Sequence, residues 1–308
     1  MSTAYILLQG LFGAALSEFD LDFKSYMKFR LKQLDKQIIP PREAVVRMSE
    51  YGEAFAASYE FSPILVSIRS LINRLVVSPD EVGAVATQWL HVSGYRGNHL
   101  HFGTHGMDFT IAHEMAHHLL NHTRNGNKDL AAPGPLILQG RLDGIGYQLP
   151  SGRNSSHQQE FAADALAVLM LMGDESLPAR VRSDWAECAA IGAFCALPAL
   201  HFKEGIEAAN RHGATACHKD THPSLTDRAK NLLEIFLRTE PDHPAGGYLD
   251  PGLGRYVPQR PSGRALRYWA CQAAMPLLSL SPLWTPRLKL EAMGQFISMP
   301  DRLSVPRR

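Results

Sequence analysis

The residues of this chain best suited to chemistry are His113-Glu114-Met115-Ala116-His117. At 3.6 residues per turn, two histidines four apart fall on one face of a helix, where their imidazoles can grip a single Zn²⁺ ion. Glu114 then stands beside the open coordination position, placed to act as a general base. The chain holds 14 His in 308 residues, so this five-residue pattern is only moderately specific. An ordinary amphipathic helix with solvated histidines would look the same. Ala112, Met115, Ala116, Leu119 and Leu120 recur at helical spacing and predict a helix from Asp108 to His122, with His113 and His117 on the flank of its apolar stripe. His118 and His122 form a second pair at the same spacing, without the glutamate, and read as solvated.

A zinc hydrolase usually takes three protein ligands and leaves one position for water. The third ligand is sought in Gln159-Glu160-Phe161-Ala162-Ala163-Asp164, where Phe161, Ala165, Val168, Leu169 and Met172 predict a helix from His157 to Met172. A carboxylate at Glu160 can close the metal site. Asp164 lies one turn further, about 5.4 Å along the axis, and can accept a hydrogen bond from the outer nitrogen of a ligating histidine. The alternative is that Glu160 favours the positive end of the helix dipole and Asp164 is a solvated charge.

A third segment, Thr221-His222-Pro223-Ser224, precedes another apolar stripe of Leu225, Ala229, Leu232, Leu233 and Phe236. Ser224 and Asp227 have capping-box spacing, and Pro223 stiffens the approach so that His222 sits just outside the helix. A histidine there can face a metal cleft and donate a hydrogen bond to a developing oxyanion, or it is simply a turn residue.

Taken in order, His113-Glu114-x-x-His117, Glu160-x-x-x-Asp164 and His222-Pro223 with Arg228 six residues after the histidine resemble the gluzincin metallopeptidases. The pattern is similar to that of the CaaX-prenyl protease and HtpX group and to that of the soluble phage-exclusion peptidase Lit, over about residues 105–236. The resemblance implies His113, His117 and Glu160 as zinc ligands, Glu114 as general base, His222 as oxyanion stabiliser, and Asp164 with Arg228 as supporting residues. The membrane members of that group are a poor functional guide. The longest uncharged apolar run, Cys188 to Leu200, is short of the ~20 residues that cross a bilayer and contains Pro198.

The elements that must position these residues are mostly helical. Phe23, Met27, Leu31, Leu34 and Ile38 predict an N-terminal helix ended by Pro40-Pro41, and Ser78-Pro79-Asp80-Glu81 has the features of a helix start just upstream of the histidine helix. Ala44-Val45-Val46-Arg47-Met48 and Ile64-Leu65-Val66-Ser67-Ile68 favour strands. The expected fold is therefore α+β, mostly helical and zincin-like, with a small N-terminal sheet packed on the H-E-x-x-H helix. An exposed edge of that sheet would let an extended substrate add as a strand. The stretch between His117 and Glu160, rich in Gly and Pro, reads as a long loop over the cleft. Small residues in Trp185 to Asn210 predict close helix packing.

Residues 1–240 are expected to form the metallopeptidase domain, with the motif core at 79–238, and residues 241–308 a Pro/Arg-rich extension packed on it. A composition of 45% hydrophobic and 20% charged residues is that of a globular protein, and the net charge of +1 offers no reason to expect nucleic acid as a partner. Four cysteines without C-x-x-C spacing fit reduced packing residues, and Ala4 to Leu16, apolar but with no Lys or Arg before it, argues against a signal peptide. The expectation is a soluble, cytoplasmic, zinc-dependent endopeptidase with one Zn²⁺ and a protein or peptide substrate. The alternatives are a metal-holding regulatory or partner-recognition module, and a hydrolase of some non-peptide bond.

Overall fold

The structure, a computed structural model, describes residues 3–34, 36–37, 41–59, 66–67, 70–71, 83–85, 87, 98–122, 133–173, 176–212, 222–239, 248–250, 255–257 and 263–278. Helix α1 spans Thr3–Leu34, so the apolar N-terminal stretch continues without a break into the Phe23, Met27, Leu31 and Leu34 stripe. Both parts are core: Leu8, Leu11, Phe12, Leu16, Phe19, Phe23 and Met27 are buried. Helix α2, Pro41–Tyr59, opens on a proline, whose fixed φ suits a first helical position. It lays Phe55 edge-on against Phe19 at 5.2 Å between ring centres.

Helix α3, Asn98–Leu119, carries the two histidines and is the hub of the fold, packed on α1, on α5 (Ser155–Leu171) and on α6 (Ala179–His212). It begins ten residues before the start predicted from apolar spacing. Its contact with α1 is polar and buried: Tyr5 Oη lies 2.9 Å from Thr110 Oγ1, Gln9 Nε2 donates to the same oxygen at 3.1 Å, and Thr110 donates back to the Gly106 carbonyl at 2.9 Å. These buried bonds fix the rotation of α3 on α1. On the opposite side, α6 comes close because its facing positions are small. A Cβ at Gly192 would stand 2.3 Å from the His105 carbonyl oxygen.

Helix α4, Pro133–Gly144, lies within the stretch expected to be a loop between His117 and Glu160. Arg141 on it donates to the carbonyls of Leu169 and Gly173, both at 2.9 Å, which satisfies free acceptors at the end of α5. Helix α7, Leu225–Thr239, starts at Ser224, whose Oγ accepts from the Asp227 amide at 3.1 Å, as the capping spacing predicts. Helix α8, Gly263–Leu278, packs on α1, α6 and α7, and its Arg267 pairs with Asp20 of α1 and Glu187 of α6. Cys195 and Cys271 are buried and unbridged.

Among the described residues the small N-terminal sheet is not present. Ala44 to Met48 lies inside α2, Val66 and Ser67 are helical, and the rest of the second strand candidate and the start at Ser78 fall outside the described residues. Two β-branched residues cannot hold a strand when Tyr51, Phe55 and Tyr59 follow at helical spacing with an aromatic face on α1 to meet them. Among the described residues the strands are Tyr248–Asp250 (β1) and Arg255–Val257 (β2), an antiparallel pair. Among the described residues the fold is therefore mostly helical, and the elements that pack on α3 are helices. The idea of a substrate strand added to a sheet edge goes with the sheet. Among the described residues no helix is long and apolar enough to cross a membrane.

The packing of α6 on α3 can be tested at its tightest point. Gly192→Ala should destabilise by about 1–3 kcal/mol, because the added methyl meets backbone rather than a movable side chain. Gly140→Ala, on an exposed helical position with nothing within 4 Å of the new Cβ, should be neutral or stabilise by up to about 1 kcal/mol in the same urea titrations.

Candidate metal centre

Three helices bring the site together. His113 and His117 project from one face of α3, Glu160 and Asp164 from the middle of α5, and Arg228 from the first turn of α7. Asn154 holds the start of α5, its side-chain oxygen accepting from the His157 amide at 2.9 Å. The stripe of Phe161, Ala165, Val168 and Leu169 that buries α5 points its two carboxylates toward α3, and α5 and α3 are direct packing partners.

His113, His117 and Glu160 each offer one ligand atom, all within 4.8 Å of one another, a group that could hold a metal ion. The facing ring nitrogens, Nε2 of each histidine, are 3.1 Å apart. Glu160 reaches His113 Nε2 at 3.5 Å with one oxygen and His117 Nε2 at 3.4 Å with the other. His222 stands at the edge of this group, its Nε2 3.5 Å from Glu160 Oε1 and its side chain 37% exposed. Glu114 is exposed on α3, one residue after the buried His113.

Behind these groups lies a buried ion pair. Arg228 donates to both oxygens of Asp164, from Nε at 2.8 Å and from Nη2 at 2.7 Å, and Nη2 also lies 3.3 Å from Glu160. Asp164 Oδ1 lies 3.0 Å from His113 Nδ1, though the ring N–H is turned away from a straight hydrogen bond. Burial pushes the Asp164 carboxyl up, but the charge and hydrogen bonds of Arg228, followed by the contact with His113, outweigh it and hold the group at about 2. Glu160 is pushed up by burial too. Its contact with His117 and the charges of Arg228 and His113 bring it below the usual carboxylate range.

Spacing pairs His122 with His118 and reads both as solvated, with no role at the site. His122 is half-buried, not solvated, with its Nδ1 3.0 Å from His117 Nδ1. Burial, with the charge of His117 next, lowers its pKa to about 4. The available sequence signal was Asn121, a residue type that tolerates the left-handed turn needed to fold His122 back.

A cavity of about 760 Å³ opens beside His222, lined by Tyr147, Arg153, His157, Phe161, His201, Lys230 and Asn231 among others. The Tyr147 hydroxyl donates to Asn231 Oδ1 at 2.9 Å across its wall. Neither residue is marked by any sequence motif, because the cavity exists only where the segment before α5 meets α7.

Residues 99–249 match the family described as Peptidase U49, and that stretch carries every site residue named above. No curated protein and no solved structure matches the chain. The region that builds this centre is thus similar to a family of peptidases.

The buried pair should dominate the stability of the centre. Arg228→Met leaves Asp164 buried without its partner and should cost about 3–5 kcal/mol in chemical denaturation of the metal-free protein. Adding Asp164→Asn should recover part of that loss, so the two substitutions together should cost less than their sum.

Proposed function

We propose that the chain is a zinc-dependent endopeptidase: His113, His117 and Glu160 hold one Zn²⁺, Glu114 is the general base, His222 meets the oxyanion, and Asp164 with Arg228 holds the ligands in place. The observation that carries this reading is the convergence of two imidazoles and one carboxylate on a single point, within a region similar to a peptidase family. A tetrahedral zinc with bonds of about 2.0–2.1 Å spaces its donors roughly 3.3–3.4 Å apart. The two Nε2 atoms are 3.1 Å apart and stand 3.5 and 3.4 Å from the two different oxygens of Glu160, so the imidazoles and the carboxylate group are at about that spacing. Charge supports it as well, since among the described residues the buried carboxylates of Glu160 and Asp164 face a single guanidinium, that of Arg228.

Zinc in such a site supplies Lewis-acid chemistry, making water a nucleophile near neutral pH and polarising a carbonyl. The protein's own groups do the rest. Glu114 accepts the proton of the attacking water as the carbon–oxygen bond forms, then delivers it to the amide nitrogen as the carbon–nitrogen bond breaks. His222, which lines the cavity, donates a hydrogen bond to the carbonyl oxygen as it gains charge. Asp164 orients the His113 ring, and Arg228 keeps Asp164 ionised while leaning on Glu160. The cavity beside His222 gives a peptide side chain room on that flank.

Glu114→Gln should retain one zinc per chain by metal analysis and lose about 10²–10⁴-fold in turnover. His222→Ala should likewise keep its zinc and lose about 10²–10³-fold in kcat. Both are read by comparing new protein N-termini in a lysate treated with wild type or variant. If purified Glu114→Gln produces the same termini as wild type, the assigned base is wrong. Full zinc occupancy with no new termini from wild type would instead favour a metal-holding partner-recognition module.

A further inference from the structure

We propose that His122 is a positioning residue for His117: it accepts a hydrogen bond from His117 Nδ1 and thereby turns the Nε2 lone pair of His117 toward the metal. This rests on the metal-site reading above and adds to it a residue that no motif marks.

The backbone makes the contact unavoidable. Asn121 has φ of 59°, in the left-handed region. The Asn121 amide donates to the His118 carbonyl at 3.1 Å and the His122 amide to the His117 carbonyl at 2.9 Å. This pair of bonds is the Schellman ending of a helix, in which the residue after the left-handed one folds back over the residue five before it. A contact between apolar side chains frequently accompanies that ending. Here the two positions are His122 and His117, and their Nδ1 atoms come to 3.0 Å.

Ring geometry then assigns the roles. The two nitrogens of an imidazole point away from each other, and His117 Nε2 faces His113 Nε2 at 3.1 Å. His122 is therefore behind His117, on the far side from the ion position, and is not a fourth ligand. Two ring nitrogens at 3.0 Å share one proton. With that proton on His117 Nδ1, Nε2 is free to ligate and His122 accepts. The outer nitrogen of each ligand histidine then faces a polar atom at 3.0 Å, the carboxylate Oδ1 of Asp164 for His113 and Nδ1 of His122 for His117.

The test is the affinity of the full chain for Zn²⁺ and Co²⁺, by competition with a chromophoric chelator, for wild type, His122→Ala and His122→Asn. His122→Ala should bind both ions about 10–100-fold more weakly. His122→Asn places a carbonyl oxygen near the position of Nδ1 and should recover most of the loss. The visible spectrum of the Co²⁺ form should shift in the alanine variant and return in the asparagine variant, while the metal-free melting temperatures of all three agree. Wild-type affinity in His122→Ala would overturn the proposal and leave the metal site standing. Equal weakness of the two variants would overturn the acceptor role. A wild type that binds neither ion would overturn the metal-site reading and this inference with it.

Discussion

One carboxylate, that of Asp164, has to remain ionised in a place water does not reach, and the arrangement of the site follows from how that is achieved. A buried charge is tolerable only when it is paired and hydrogen-bonded. Arg228 meets it with two parallel bonds, and His113 takes up one side of the same carboxylate. The three groups come from α5, α7 and α3, so the requirement for mutual satisfaction also sets how these helices sit on one another. Because Arg228 also touches Glu160, the ion pair sets the position of the acid that converges with His113 and His117.

The remainder of the molecule holds α3 still. On one side, Tyr5 and Gln9 pin Thr110, one turn before His113, and misrotation of α3 would break a buried polar network. On the other side, Gly192 lets α6 approach the α3 backbone to a distance that no side-chain-bearing residue permits. At its C-terminal end, the left-handed Asn121 stops the helix and returns the chain over His117. A pair of histidines four residues apart is common enough by composition. What makes this pair distinctive is that rotation, depth and the outer nitrogens of both rings are each constrained by a separate contact.

Much of this could be read from residue order because helical periodicity is local. The stripe from Phe161 to Met172 and the Ser224 cap with the stripe after it lead to α5 and α7 nearly as spaced. Ala44 to Met48 misled for the opposite reason. Its β-branched residues express only a local preference, whereas the aromatic face of α2 is decided by Phe19 and Phe23 on a distant helix. The expected loop before Glu160 contains α4 because Arg141 has carbonyls of α5 to cap, a partner invisible from composition.

The sequence by itself determined which side chains share a helix face: His113 with His117, and Glu160 with Asp164 one turn apart, since both follow from 3.6 residues per turn. Only the tertiary structure decided that these faces meet, that Arg228 lies under both carboxylates, and that His122 stands behind His117. Those are relations between segments tens of residues apart, or across a left-handed turn. They depend on burial and on the satisfaction of buried polar groups, which belong to the packed molecule and not to any one stretch of it.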